Sequence, residues 1–85
     1  MARLKITMAN GDVSDHPITP SIEYAFEAYA KKGFAKAFQE DQKQSDIYWL
    51  AWKCLSKVGD VPLFGESFVD KLAKVEVLDD AVPNS

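Results

Sequence analysis

Ser45-Asp46-Ile47-Tyr48-Trp49-Leu50-Ala51-Trp52-Lys53-Cys54-Leu55-Ser56-Lys57-Val58-Gly59 carries the strongest periodicity in the chain. Ile47, Leu50, Ala51, Cys54, Leu55 and Val58 fall at i, i+3, i+4, i+7, i+8 and i+11, the stripe of an amphipathic helix. Ser45 and Asp46 supply a cap and a first-turn acid, and Gly59 marks the end. Tyr48, Trp49 and Trp52 form a second apolar set beside that stripe, with Asp46, Lys53, Ser56 and Lys57 as the polar relief. A helix with so much apolar circumference is predicted at the centre of the fold or shared with a partner.

Upstream, Thr19-Pro20 reads as an N-cap and a proline at the first helical position, where the missing N–H costs nothing. Ile22, Ala25, Phe26 and Tyr29 continue at helical spacing, and Lys31-Lys32-Gly33 places cations and then a stop at the C-terminal end. Phe34, Ala37 and Phe38 repeat the spacing briefly before the polar run Gln39-Glu40-Asp41-Gln42-Lys43-Gln44. Nearer the start, Leu4, Ile6 and Met8 alternate with Arg3, Lys5 and Thr7, the period of a strand with one buried face. Asn10-Gly11 suits a two-residue hairpin turn, which predicts Val13 opposite Met8 on the apolar face and Asp15 opposite Ile6. That awkward acid, with Pro17 after it, marks the return strand as a short or bulged edge ending near His16.

Downstream, Asp60-Val61-Pro62-Leu63-Phe64-Gly65 reads as a loop anchored by Leu63 and Phe64. Phe68, Val69, Leu72 and Val75 then predict a last amphipathic helix reaching toward Leu78. The pattern as a whole predicts an α+β fold: an N-terminal β-hairpin followed by three or four packed α-helices, mostly helical. Residues 1–78 are expected to form a single domain, and 79–85, with Pro83 and no periodicity, a flexible tail.

The 85 residues are 47% hydrophobic and 27% charged, enough for one core of modest stability. Ten Lys and Arg against 13 Asp and Glu, with no basic run longer than Lys31-Lys32, argue against nucleic-acid binding and against a DNA-binding regulator. No stretch of roughly 18 apolar residues is present, so no membrane partner is expected, and the cytoplasm is the default location. With one cysteine and one histidine there is neither an internal disulfide nor a Cys/His zinc set.

Catalytic candidates are few. His16 beside Asp15 is the one base titrating near neutrality, but a strand-end histidine before Pro17 reads as solvated. Cys54 sits on the apolar stripe, where burial silences a thiol. Glu23 and Glu27 share a helical face with Lys31, so Glu27–Lys31 reads as a surface i, i+4 pair. No catalytic, metal or cofactor-binding residues are assigned, and no cofactor is expected. The aromatic content, 12% of the chain, remains to be placed. Phe26, Phe38, Trp49 and Phe68 are assigned to the core, whereas Tyr24, Tyr29, Tyr48 and Trp52 are the candidate protein-binding residues.

Ser21-Ile22-Glu23-Tyr24-Ala25-Phe26-Glu27, Phe34-Ala35-Lys36-Ala37-Phe38, Tyr48-Trp49-Leu50-Ala51-Trp52 and Phe64-Gly65-Glu66-Ser67-Phe68 resemble the tail assembly chaperones of siphophages of actinobacteria. The resemblance spans about residues 20–78, its most specific element being the Tyr-Trp-Leu-Ala-Trp run after a polar linker. The N-terminal hairpin lies outside it, and it brings no catalytic motif. It implies a non-enzymatic protein of the host cell cytoplasm that coats the tape measure protein in multiple copies and is absent from the mature virion. Self-association is expected, and tail tube protein is a further partner through a longer frameshifted product; this chain corresponds to the shorter one. The competing reading is a structural tail or head component retained in the virion.

Overall fold

The computed structural model describes residues 2–41 and 43–79. In chain order these form β1 (Ala2–Met8), β2 (Val13–Pro17), α1 (Pro20–Ala30), α2 (Phe34–Lys36, continued by a π-helical turn Ala37–Asp41), α3 (Gln44–Ser56), α4 (Glu66–Val69) and β3 (Leu72–Asp79). Among the described residues the strands make one antiparallel sheet in the order β2-β1-β3, so β1 is central and β3 closes beside it.

This topology corrects the expected hairpin plus helices. The structure is a small α+β fold, 47% helical and 25% strand, rather than mostly helical. The predicted last helix shrinks to the four residues Glu66–Val69, and Leu72–Asp79 is strand. Leu72 and Val75 fit a helical stripe, but Val75 and Val77 also alternate, and the two periods cannot be separated in so short a run. Tertiary pairing decides: β1 had an unpaired edge, and β3 sets Val75 across from Ile6 and Val77 across from Leu4. A helix would have left Val77 off the buried stripe. Asp79 closes the strand, and the remainder of the tail expected at 79–85 lies outside the described residues.

The hairpin also departs from expectation, by one residue. Met8 N–H donates to Asp12 C=O at 2.8 Å and Gly11 N–H to Met8 C=O at 2.9 Å, enclosing the three-residue loop Ala9-Asn10-Gly11. Gly11 takes the left-handed position such a loop requires, with φ at 98°. Thr7 therefore faces Val13 and Ile6 faces Ser14, and every side chain of β2 is turned to the other face. Exposing Val13 forgoes about 1.5 kcal/mol of burial. Burying Asp15 against Ile6 without a partner would cost several kcal/mol more. On the outer face Asp15 instead meets Arg3 at 3.3 Å.

Helix α1 buries Ile22 and Phe26 as its spacing predicts, but it ends before Gly33: Lys31 turns left-handed at φ 60° and its N–H donates to Glu27 C=O. Glu27 does not make the expected pair with Lys31. Its Oε2 accepts the Phe34 N–H at 2.8 Å, linking α1 to the start of α2. Helix α3 buries Asp46, Trp49, Leu50, Ala51 and Cys54, so its inward face is turned toward Asp46 and Trp49 and away from Val58. The inner sheet face (Leu4 and Ile6, both fully buried) meets Ile18, Ile22, Phe26, Ala37, Leu50 and Cys54 in one core.

Candidate protein-binding surface

Phe26 is the hub of a continuous set of rings, with Phe38, Phe34 and Trp49 centred 5.0, 5.8 and 6.0 Å away. From Trp49 the set runs outward. Tyr29 stacks on Trp49 at 4.5 Å and 8°, and Trp52 lies 5.9 Å from Trp49. Phe64 completes the rim, 6.5 Å from Tyr29, 6.3 Å from Trp52 and 6.3 Å from Phe68. The indole Nε1–H of Trp52 donates to Pro62 C=O at 2.8 Å, which holds the loop between α3 and α4 against α3. This loop and α1 cover much of the apolar circumference of α3, leaving Tyr48, Trp52 and Leu55 partly buried.

Of the four candidate residues, Tyr29 and Trp52 share this rim. Tyr29 stacks on Trp49 and is 45% exposed, whereas Trp52 is partly buried and serves as the loop's clasp. Tyr48 precedes Trp52 by one helical turn on α3 and is partly buried. Tyr24 stands apart, 78% exposed, on the side of α1 away from Ile22 and Phe26. Leu63, taken from the sequence as a loop anchor beside Phe64, is 86% exposed. Two adjacent apolar residues on an extended loop point to opposite sides, and that was the available signal that one of them faces outward. Leu63 is thus exposed on the same loop whose next residue, Phe64, joins the rings of Tyr29 and Trp52.

A second apolar region is a shallow groove of about 150 Å³ lined by His16, Pro17, Thr19, Ile22, Cys54, Lys57 and Val58, between β2, the start of α1 and the end of α3. Its two reactive groups are quiet. Burial pushes the Cys54 thiol up to about 11. Burial also lowers His16 below its usual value, against the opposing pull of Asp15, and its Nε2 lies 2.9 Å from Ser14 Oγ. Neither is arranged as an activated nucleophile with its base.

The charged residues below the rim are structural. Lys32 Nζ lies 2.9 Å from Asp41 and 3.0 Å from the buried Asp46, tying the end of α1 and the π-helical turn to the start of α3. The Asp46 contact is within hydrogen-bonding distance but misaligned for one, so its attraction is coulombic. The hydrogen bond from Lys32 holds the Asp41 carboxyl below the usual carboxylate range, and that bond together with the adjacent Asp46 carboxylate raises Lys32 above the usual lysine value. Among the described residues no group of three or more His, Cys, Asp or Glu is placed to hold a metal ion, and no helix is long and apolar enough to cross a membrane.

Comparison of the chain with protein-family models, with curated proteins and with solved structures found no match.

Proposed function

We propose that this chain is a tail assembly chaperone of a long-tailed bacteriophage, acting in the host cell cytoplasm to keep the tape measure protein soluble until the tail tube forms around it. The observation that carries the reading is the ring set of Tyr29, Trp52 and Phe64 together with the exposed Leu63 that precedes Phe64 on the same loop. At 86% exposure Leu63 adds little to the domain's own stability and is free to be buried by a partner. Such a surface suits the apolar stripe of a helical client, with the rings supplying area at small entropic cost. The formal charge of −3 adds repulsion between coated complexes and so favours their solubility. The resemblance over residues 20–78 supplies the identity of the client. Each copy would bind weakly, and many copies along one client would give the avidity that keeps it in solution.

Co-expression with the tape measure protein encoded by the same phage tests this. Client held in the supernatant by the wild-type chain, with a light-scattering mass showing several copies per client, supports the reading, and Leu63→Ser should return the client to the pellet. Client that pellets equally with and without the chain overturns it. Recovery of the chain in purified particles would assign it to the virion structure instead.

A further inference from the structure

We infer that β3 is a self-association edge, pairing antiparallel with β3 of a second copy across a twofold axis at Val75 to form a continuous six-stranded sheet. The sheet has two outer strands, and they are not equivalent. Ile18 N–H donates to Ala2 C=O and Met8 N–H to Asp12 C=O, so the even-numbered residues of β1 aim their backbone groups at β2 and the odd-numbered ones at β3. Arg3, Lys5 and Thr7 lie across from Leu78, Glu76 and Lys74, so these residues of β3 spend their backbone groups on β1. Val75 and Val77 consequently aim theirs at the open side, where no described element pairs with them. By the same alternation the open side of β2 presents Val13, Asp15 and Pro17, and Pro17 has no N–H to give. The β2 edge is blunted and short; the β3 edge is long and free of proline.

Charge selects the occupant and the register. Lys74 and Glu76 stand on the outer face of β3, 3.6 Å apart and accessible. Antiparallel pairing centred on Val75 puts Lys74 opposite the second copy's Glu76, and Glu76 opposite the second copy's Lys74. Val75 then exchanges both backbone hydrogen bonds with its counterpart, and the partly buried Val75 and Val77 extend one apolar row across the junction on the inner face. Centring on Glu76 would still pair Val75 with the second copy's Val77 but would set two carboxylates directly against each other. Centring on Val77 would set Glu76 opposite Leu78. A strand whose own charges are complementary about its middle residue is matched by a copy of itself.

An interface of one strand pair is small, so the dimer is weak, with a dissociation constant on the order of tens of micromolar. Sedimentation equilibrium from about 10 µM to 1 mM is expected to show the mass rising from 9.5 kDa toward twice that value. Lys74→Glu places like charges at both symmetric contacts and should weaken association by about 10-fold, while the double variant Lys74→Glu/Glu76→Lys should recover it to within about threefold. Val75→Pro removes an outward N–H without touching the β1 ladder and should be monomeric, with circular dichroism checking that each variant is folded. A wild-type chain that stays monomeric to the top of that range, or a double variant no tighter than Lys74→Glu, overturns the inference. The edge pairing stands apart from the client reading: a monomer that still solubilises the tape measure protein would refute the former alone.

Discussion

Leu63 and Phe64 are neighbours in sequence with opposite roles, and exchanging each for a small residue separates binding from folding. Phe64 is partly buried, with its ring near Tyr29, Trp52 and Phe68. Truncating a fully buried Phe costs about 3–5 kcal/mol; a partly buried one at the edge of the ring set should cost about 2 kcal/mol. In a domain of this size that lowers the melting temperature by about 8–16 °C. Leu63 is 86% exposed, so Leu63→Ser should change stability by no more than about 0.5 kcal/mol. Its effect belongs to the complex. Burying a leucine side chain in a client groove contributes about 1.5–3 kcal/mol, so its loss should weaken each contact by about 10- to 150-fold. Urea denaturation followed by the fluorescence of Trp49 and Trp52 reads the first quantity, and client retained in the supernatant reads the second. If Leu63→Ser destabilises the fold as much as Phe64→Ala does, Leu63 is an anchor and the rim is not a binding surface. If it leaves both stability and client retention unchanged, the surface lies elsewhere.

Three further outcomes test the rest of the fold. Gly11→Ala should destabilise by about 1 kcal/mol, because a Cβ there meets nothing within 4 Å and the cost is confined to holding φ at 98°; a neutral result in urea would argue against the three-residue hairpin loop. Cys54, raised from 9.0 to about 11, should react with a disulfide reagent at pH 8 about two orders of magnitude more slowly than in the denatured chain, and equal rates would place it outside the core. Asp41 lies below its ordinary 3.8, so its contribution to stability is present above that value and lost as pH falls through its folded pKa. Lys32 lies above its ordinary 10.5, so its contribution is present below that value and lost as pH rises through its folded pKa. Lys32→Met should therefore flatten melting temperature against pH below 3.8 and above 10.5, and a profile parallel to wild type would show that the ion pairs are not formed in solution.

Helix α1 was legible because Thr19-Pro20 and the spacing of Ile22 and Phe26 are local facts that tertiary structure did not have to override. The C-terminal strand was not, because Leu72-Ala73-Lys74-Val75-Glu76-Val77-Leu78 satisfies both periods and the deciding term is a long-range one: an unpaired edge on β1, at the other end of the chain. The hairpin register failed for a related reason. Asn10-Gly11 fits a two-residue turn and also the last two positions of a three-residue loop, and only the side that Asp15 must face distinguishes them. That conflict is visible in the sequence as an acid opposite Ile6, and a one-residue shift of register resolves it where a short or bulged edge is expected.

The candidate surface shows the same division between local and long-range information. Helical spacing leaves Tyr24 off the stripe of α1, and it is exposed; Trp49, beside the stripe read for α3, turns inward because the buried face is rotated toward Asp46. The surroundings of Tyr29, Trp52, Leu63 and Phe64 depend on how the loop after α3 folds back, and the hydrogen bond from Trp52 to Pro62 that holds it has no signature in composition or period. The clasp nevertheless explains why this loop carries the exposed leucine. A residue at the tip of a mobile loop would lose side-chain and backbone freedom on binding, at about 1–2 kcal/mol for each residue ordered. With Pro62 tied to Trp52 and Phe64 packed among three rings, that ordering is complete before a client arrives, so Leu63 is presented by a segment already held in place. On the proposed reading Trp52 acts by positioning Leu63, and Trp52→Phe should weaken client retention through loop mobility even where the ring itself touches no client.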